Sequence, residues 1–173
     1  QMRAQCDAVL IGANTVNIDN PQLSVREVKG RNPIRIIIDG NLNISLKSKL
    51  VLTSETNQTI IFTTTKSNAK KVSLLEDRGI NIIRLGGKVG KIDLKSILKI
   101  LEERKIISLF VEGGQGIFSQ FVERKLFDEI IILQAPIILG EGIGAFKKEY
   151  KNRLFIQDVC KLGEDNKIVL RKI

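Results

Sequence analysis

The sequence predicts an α/β domain with a mostly parallel sheet flanked by helices and an antiparallel hairpin at its C-terminal end. Two observations carry the prediction: runs rich in Ile and Val alternate with amphipathic segments, and the last two apolar runs flank a short turn. Strands alternating with helices are typical of a parallel sheet covered on both faces. The 173 residues, 43% of them hydrophobic, suffice for one domain with a single core.

Six apolar runs are predicted as strands. They show little alternation of polar and apolar residues, which is typical of strands buried on both faces. In order they span residues 8–11, 34–39, 59–63, 80–85, 107–111 and 129–133. Residues 155–162 and 167–173 flank the turn formers of residues 163–166 and are predicted to form the antiparallel hairpin.

Two helices are predicted between strands, over residues 67–78 and 93–104. In the second, Asp93 can cap the first turn, and the apolar residues recur at helical spacing, at Leu94, Ile97, Leu98 and Leu101. A third short helix follows the fifth strand and has one apolar face, formed by Ile117, Phe118, Phe121 and Val122. The residues Gln1 to Gln5 are expected to form the end of a helix.

A glycine-rich turn links the fifth strand to this third helix, with the sequence Val111-Glu112-Gly113-Gly114-Gln115-Gly116. The first turn of a helix leaves backbone N–H groups without partners, and the helix dipole favours an anion there. Glycine lets a ligand approach the main chain and permits positive φ. The turn is a candidate phosphate site, and the alternative is a plain tight turn.

Two further loops follow strands that end at the same edge of a parallel sheet, where ligands bind. Residues 13–21 are rich in Asn, Thr and Asp and precede a proline, and residues 39–41 read Asp-Gly-Asn. The first loop can equally be an Asx-rich turn in which Asp19 and Asn20 cap their own backbone. Three such loops at one edge leave a ligand cleft and a set of structural turns as open alternatives.

The composition restricts the function classes. The net charge of +9 suits small anionic ligands. We expect no nucleic-acid partner, because the cations are dispersed and there is no tryptophan and one tyrosine for base stacking. With no histidine, a Cys/His zinc site is excluded and no metal is expected. No run of 18 apolar residues occurs, so no membrane partner is expected and the cytoplasm is the expected compartment.

Three motifs, in this order, resemble one family. They are DAVLIGANTVNIDNPQLSVR at residues 7–26, NPIRIIIDGNLNIS at 32–45, and VEGGQGIFSQFVERKLFDEIIILQAPIILG at 111–140. The sequence resembles the reductase domain of riboflavin biosynthesis, which includes the C-terminal half of the bacterial bifunctional diaminohydroxyphosphoribosylaminopyrimidine deaminase/5-amino-6-(5-phosphoribosylamino)uracil reductase. The resemblance covers essentially the whole chain.

The resemblance implies a three-layer, dihydrofolate-reductase-like fold, NADPH as hydride donor and a homodimer. The implied reaction reduces the ribosylamino group of a phosphorylated pyrimidine to ribitylamino, with hydride delivered to C1′ of the sugar. Positioning donor and acceptor would supply much of the rate. Two alternatives remain: another dihydrofolate-reductase-like reductase of a pyrimidine or pterin, and a non-catalytic basic α/β binding module.

The resemblance also implies roles for individual residues. Arg3 and Arg26 match substrate-binding positions whose guanidinium groups suit a 5′-phosphate, and Leu23 and Glu112 match other substrate contacts. Thr15 and Asp19 match cofactor contacts, and Gly40 stands where relatives often carry a cofactor-binding serine. The phosphate-binding segment of the cofactor site corresponds to Gly114, Gln115, Gly116, Ile117, Phe118, Ser119 and Gln120. Glu112 and Asp19 are candidates for the proton step, although orienting ligand hydroxyls is the favoured role.

The family pattern places one strand and one helix before the position of Gln1, so residues 1–173 are expected to be a reductase domain that lacks these two elements. The missing piece would carry further contacts, including a serine and a tryptophan. The zinc deaminase half of the bifunctional members would also lie outside this chain, since its chemistry needs a histidine ligand.

Overall fold

The computed structural model describes residues 2–87, 90–151 and 153–173 and divides the chain into two compact units, Gln1–Gly114 and Gln115–Ile173. The first unit contains five parallel strands in the order β4-β3-β2-β1-β5. Their bounds are Ala8–Gly12 (β1), Ile34–Ile38 (β2), Thr59–Thr64 (β3), Asn81–Leu85 (β4) and Leu109–Val111 (β5). All five were predicted, and each observed strand lies within one residue of its predicted bounds, except that β5 begins two residues late.

Helices of the first unit connect these strands. Met2–Gln5 forms a single 3-10 turn, while Gln1 lies outside the described residues. The α-helices are Ala13–Asp19 (α1), Lys49–Leu52 (α2), Ala69–Glu76 (α3) and Leu94–Glu103 (α4). Asp93 caps α4 as predicted, since its carboxylate accepts from the Ser96 N–H at 3.0 Å. The prediction missed α2.

The loop prediction for residues 13–20 is wrong, because Ala13–Asp19 is an α-helix. Val16 points into the core and is fully buried, so burial of an apolar side chain outweighs the turn preference of the surrounding Asn and Asp residues. Asn20 ends the helix in the left-handed conformation, with φ of 43°, and its N–H donates to the carbonyl of Val16.

The core of this unit is built on the three central strands. Val9, Ile11, Ile37 and Ile61 belong to one buried cluster, together with Val16 of α1 and side chains of α2 and α3. β3 is buried along its whole length, and β1 and β2 are buried except at their end residues. The edge strands β4 and β5 are partly exposed, which corrects the expectation that every strand is buried on both faces. An edge strand has a neighbour on one side only, so it is shielded less.

The second unit contains the helix Gln115–Glu123 (α5) and a three-stranded antiparallel sheet in the order β6-β8-β7. The strands span Glu129–Gln134 (β6), Leu154–Leu162 (β7) and Asp165–Lys172 (β8). The predicted hairpin is confirmed, with a two-residue turn in which Gly163 takes φ of +62°. The run predicted at 129–133 is a strand, but β6 pairs antiparallel with β8 and is largely exposed, which the prediction of a buried strand missed.

Candidate functional site

An ion pair joins three segments of the first unit. Arg3 donates to both carboxylate oxygens of Glu112, from Nε at 2.5 Å and from Nη2 at 2.7 Å, and Nη1 donates to the carbonyl of Ser24 at 3.1 Å. The pKa of Arg3 is raised, chiefly by the hydrogen bond to Glu112. Two predicted substrate residues are therefore brought together, and their fork geometry fixes the 3-10 turn and the loop of Ser24 to the end of β5.

The glycine turn after β5 lies beside the start of α1. Glu112 N donates to the carbonyl of Leu10 at 2.9 Å, which extends the β1–β5 pairing to the turn. A Cβ added to the exposed Gly114 would meet only the Thr15 hydroxyl oxygen, at 3.4 Å. The turn therefore presents an open approach to its backbone with a hydroxyl donor at its side, which fits an anionic group such as a phosphate.

The conformation of this turn differs from the expectation in one respect. Gly113, Gly114 and Gly116 all adopt backbone conformations without positive φ. Their absent side chains therefore matter for access to the main chain and not for a left-handed turn.

Asp19 lies four residues after Thr15, so the two side chains share one face of α1. Thr15 is half-buried beside Gly114, whereas Asp19 is exposed in the last turn of the helix. The side chain of Asp19 makes no hydrogen bond or ion pair among the residues that the structure describes.

Gly40 follows β2 and is covered by the main chain of another loop. Its carbonyl accepts from the Thr64 hydroxyl at 2.9 Å, and a Cβ on Gly40 would lie 2.7 Å from the Gly90 carbonyl group. The preceding Asp39 is buried and its two oxygens accept from the N–H groups of Asn43 and Ile44. Only glycine fits at position 40 with this packing, which explains why a cofactor-binding serine would be excluded here.

The loop after α1 carries the other predicted substrate residues in different environments. Leu23 is 2% exposed, belongs to the core cluster and has φ of 55°, so only its backbone could contact a ligand. Arg26 is exposed, and its Nη2 donates to the side chain of Gln22 at 3.1 Å. The remaining donors of its guanidinium group are available to a phosphate.

A buried arginine braces the same loop and was not identified from the sequence. Arg35 is 2% exposed and donates to Thr59 Oγ1, Thr53 Oγ1 and the carbonyls of Leu50, Thr53 and Asn57, with a longer 3.5 Å contact to the carbonyl of Gln22. Burial lowers its pKa to about 10, so it remains charged at neutral pH. Its position inside the Ile-rich strand β2 was the only available signal.

The predicted cofactor segment continues into α5 of the second unit. Ile117 and Ser119 are buried, Phe118 is partly exposed, and the Gln120 amide donates to the Gly116 carbonyl. The Gln115 amide donates to the carbonyl of Phe146, and the Ser119 hydroxyl accepts from the Lys147 N–H at 2.9 Å. These side chains are occupied by the protein, which leaves the backbone N–H groups of the first helical turn as the ligand donors.

Lys147 is a second site residue that sequence reasoning missed. Its ammonium nitrogen lies 3.9 Å from the position of a Cβ on Gly116, at the first turn of α5. A cation there reinforces the positive end of the helix dipole and favours a bound anion. Gly116 and Lys147 are 31 positions apart in the chain, so the sequence alone did not reveal this relation.

Metal-ligand clusters and membrane-spanning helices are both absent from the described ranges. Within residues 2–87, 90–151 and 153–173, no three His, Cys, Asp or Glu side chains are grouped as metal ligands. In the same ranges, no helix combines the length and the hydropathy needed to cross a membrane.

Comparison with known proteins gives consistent matches. Residues 1–168 match the family model of the RibD C-terminal domain. The riboflavin biosynthesis protein RibD of Aquifex aeolicus is 36% identical over 177 residues, which cover 99% of this chain and 48% of that protein. The 2,5-diamino-6-ribosylamino-4(3H)-pyrimidinone 5′-phosphate reductase of the same organism is 37% identical over 140 residues, or 81% of this chain and 61% of that protein.

Solved structures match as well. The deaminase/5-amino-6-(5-phosphoribosylamino)uracil reductase of Thermotoga maritima has a TM-score of 0.78 and 27% identity, covering 99% of this chain and 47% of that one. This likeness confirms the predicted dihydrofolate-reductase-like fold class. The chain spans about half the length of the RibD relative and of this solved structure.

Proposed function

Because this chain belongs to the RibD C-terminal domain family, we propose that it carries the NADPH-dependent reductase activity of riboflavin biosynthesis. The substrate is 5-amino-6-(5-phosphoribosylamino)uracil, and its ribosylamino group is reduced to ribitylamino. The observation that supports this most directly is the Arg3–Glu112 pair beside the exposed Gly114 turn, since it joins substrate-type and cofactor-type residues at the carboxyl edge of one parallel sheet.

The chain's own residues hold the two phosphorylated ligands. When bound, a nicotinamide cofactor would supply the hydride for C1′ of the sugar, and the ring oxygen would gain a proton. In the first unit, the open Gly114 turn and the Thr15 hydroxyl receive the cofactor's phosphates. In the second unit, the Lys147 ammonium group lies beside Gly116 at the first turn of α5. Arg26 receives the 5′-phosphate of the substrate through its unused guanidinium donors.

Glu112 and Arg3 orient the substrate. Both oxygens of Glu112 already accept from Arg3, so this carboxylate is suited to accept from ligand hydroxyls through its remaining lone pairs. Arg3 then acts mainly as the anchor of Glu112 and of the Ser24 loop. Asp19 is exposed and without a protein partner among the described residues, so it is the remaining candidate for contact with the cofactor and for the proton step.

Preference for NADPH over NADH is supported by one cation that follows β3 and one that lies near the end of β4. A 2′-phosphate requires a positive partner that NADH does not need. Lys66 and Arg84 are both exposed, and Arg84 Nη2 donates to the carbonyl of Thr65 at 3.0 Å, which holds it near the end of β3.

A homodimer is part of the proposal and is supported by the apolar surface of the second unit's sheet. Six large apolar side chains of β6 and β7 are between 42% and 63% exposed, namely Ile132, Leu133, Phe155, Ile156, Val159 and Leu162. By strand alternation, Ile132, Ile156 and Val159 lie on one face of this sheet and the other three on the opposite face. Exposed large apolar side chains that share a face mark interaction sites. Sedimentation should give twice the chain mass, and the variant Ile156→Lys should lower it; a monomer in the parent protein would contradict this part.

The activity is tested by following NADPH oxidation with the deaminated substrate and, separately, with the diamino compound named for the Aquifex reductase relative. We expect turnover with the deaminated compound and saturable binding that favours NADPH over NADH. Glu112→Gln should raise KM at least tenfold, while Glu103→Gln, an exposed acid at the end of α4, should not. Turnover with neither compound in a folded, NADPH-binding protein would refute the substrate class.

A further inference from the structure

A polar cavity of about 460 Å³ lies at the amino edge of the parallel sheet, where the strands begin. Asp7 precedes β1, Arg31 and Asn32 precede β2, and Gln58 precedes β3. Arg104 and Lys105 join the lining from the end of α4. A five-residue strand is about 16 Å long, so this cavity is separate from the candidate site at the carboxyl edge.

The cavity is cationic, with three basic residues and one acid in its lining. The acid is already occupied. Asp7 Oδ1 accepts from Arg31, and Oδ2 accepts from the Ser108 N–H at 3.0 Å, the Ser108 hydroxyl at 2.8 Å and the Ile107 N–H at 3.2 Å. Its charge serves to hold the start of β5, so it does not neutralise Arg104 or Lys105.

Most donors of the three cations remain unused. Arg31 gives only one of its guanidinium nitrogens to Asp7. The side chains of Arg104 and Lys105 make no hydrogen bond or ion pair with any residue that the structure describes. This differs from other exposed cations such as Lys148 and Arg171, which pair with Glu123 and Glu129.

The backbone of Lys105 is fixed although its side chain is free. It takes the left-handed conformation with φ of 59°, where helices usually place glycine. Its N–H donates to Glu102 and the Ile106 N–H donates to Leu101, so the end of α4 closes tightly. Lys105 therefore lines the cavity from a backbone that is fixed by hydrogen bonds.

We propose that this cavity binds a sugar phosphate. The unused donors of Arg31, Arg104 and Lys105 favour an anion, and a volume of about 460 Å³ exceeds the need of an inorganic phosphate and falls in the range of small-metabolite sites. The lining contains no aromatic side chain on which a nucleobase could stack. Asn32 donates to Asn57 and Asn57 donates to Thr56, so these side chains are engaged with one another. The Gln58 side chain makes no hydrogen bond within the described residues and is suited to bind a hydroxyl group.

The test is a titration of the uniformly ¹⁵N-labelled protein with ribose 5-phosphate, followed by the backbone amide signals of Asn32, Gln58 and Lys105. These amides should shift with one common Kd. The Kd should rise at least tenfold in Arg104→Gln/Lys105→Gln and less than twofold in Lys95→Gln/Lys99→Gln, a matched charge change on exposed residues of the same helix. Signals of Ser24 and Arg26 report separately on the proposed substrate site.

Three results would overturn the proposal: no saturable shift of the cavity amides at low salt, an equal loss in the two double variants, or inorganic phosphate binding as tightly as ribose 5-phosphate. Circular dichroism checks that each variant is folded. If Lys105→Gln disturbs the end of α4, the single variant Arg104→Gln keeps the test decisive. It should raise the Kd three- to fivefold, and an unchanged Kd would contradict the proposed site.

Discussion

Replacing Gly114 by valine should abolish most cofactor binding while leaving the chain folded. The only atom within 4 Å of the added Cβ is Thr15 Oγ1, at 3.4 Å, which is an ordinary van der Waals contact. The substitution should therefore cost less than about 1 kcal/mol in the free energy of unfolding, as for other exposed positions. A branched side chain at this place nevertheless covers the backbone that a phosphate must approach.

The expected loss follows from the hydrogen bonds that a phosphate makes to this turn. Each bond from a backbone N–H to a charged oxygen contributes about 1.5–3 kcal/mol. Losing two of them at the lower figure costs about 3 kcal/mol, which raises the Kd for NADPH on the order of 10²-fold. Gly114→Ala should give an intermediate rise, because a methyl group covers less of the backbone.

The assay is a fluorescence titration with NADPH, run beside a thermal unfolding curve for each variant. Gly142→Val is the matched control, since no atom lies within 4 Å of its added Cβ and its φ is not positive. A folded Gly114→Val protein with an unchanged Kd would refute the assignment of this turn to the cofactor. An equal loss in Gly142→Val would show that the effect is not specific to the turn.

Three further substitutions test buried and charged contacts of the first unit. Arg35→Met should lower the free energy of unfolding by about 3 kcal/mol or more, because it leaves several buried carbonyls without a donor; a loss below about 1 kcal/mol in urea titration would contradict this. The pKa of Asp7 is lowered, first by a hydrogen bond from a serine hydroxyl. Its contribution is complete above the unfolded pKa of about 4 and is lost as pH falls through the folded pKa. Asp7→Asn should therefore flatten the acid limb of a stability–pH curve, and an unchanged limb would exclude the effect. Gly40→Ser should cost about 1–3 kcal/mol, because its Cβ would overlap the Gly90 backbone, whereas Gly86→Ser, with open space around it, should leave Tm unchanged.

The sheet of the first unit was predictable because its signals are local. The Ile-rich runs of β1, β2 and β3 are continuous and buried, and Asp93 with its following leucines marks the start of α4. Helix α1 was not predictable in the same way. Its Asn and Asp residues favour turns, and the helix forms because Val16 is buried in a core whose other members come from distant segments.

The candidate site divides along the same line. The glycine turn and the residue types needed for phosphates are visible in the sequence, and the family motifs place them in order. The contact partners of these residues are not visible in the sequence. Arg3 pairs with Glu112, which lies 109 positions away, Lys147 lies beside Gly116, 31 positions away, and Gly90 covers Gly40, 50 positions away.

The sequence by itself determined the α/β class, the alternation of strands and helices, the C-terminal hairpin and the glycine-rich turn after β5, because hydrophobic periodicity, caps and glycine act within a few residues. Only the tertiary structure decided which charges neutralise each other, which glycine is covered and which stays open, and where unpaired cations gather at the amino edge of the sheet. Those outcomes depend on contacts between residues far apart in the chain, and their energies arise only once folding has removed water and brought the partners within hydrogen-bond distance.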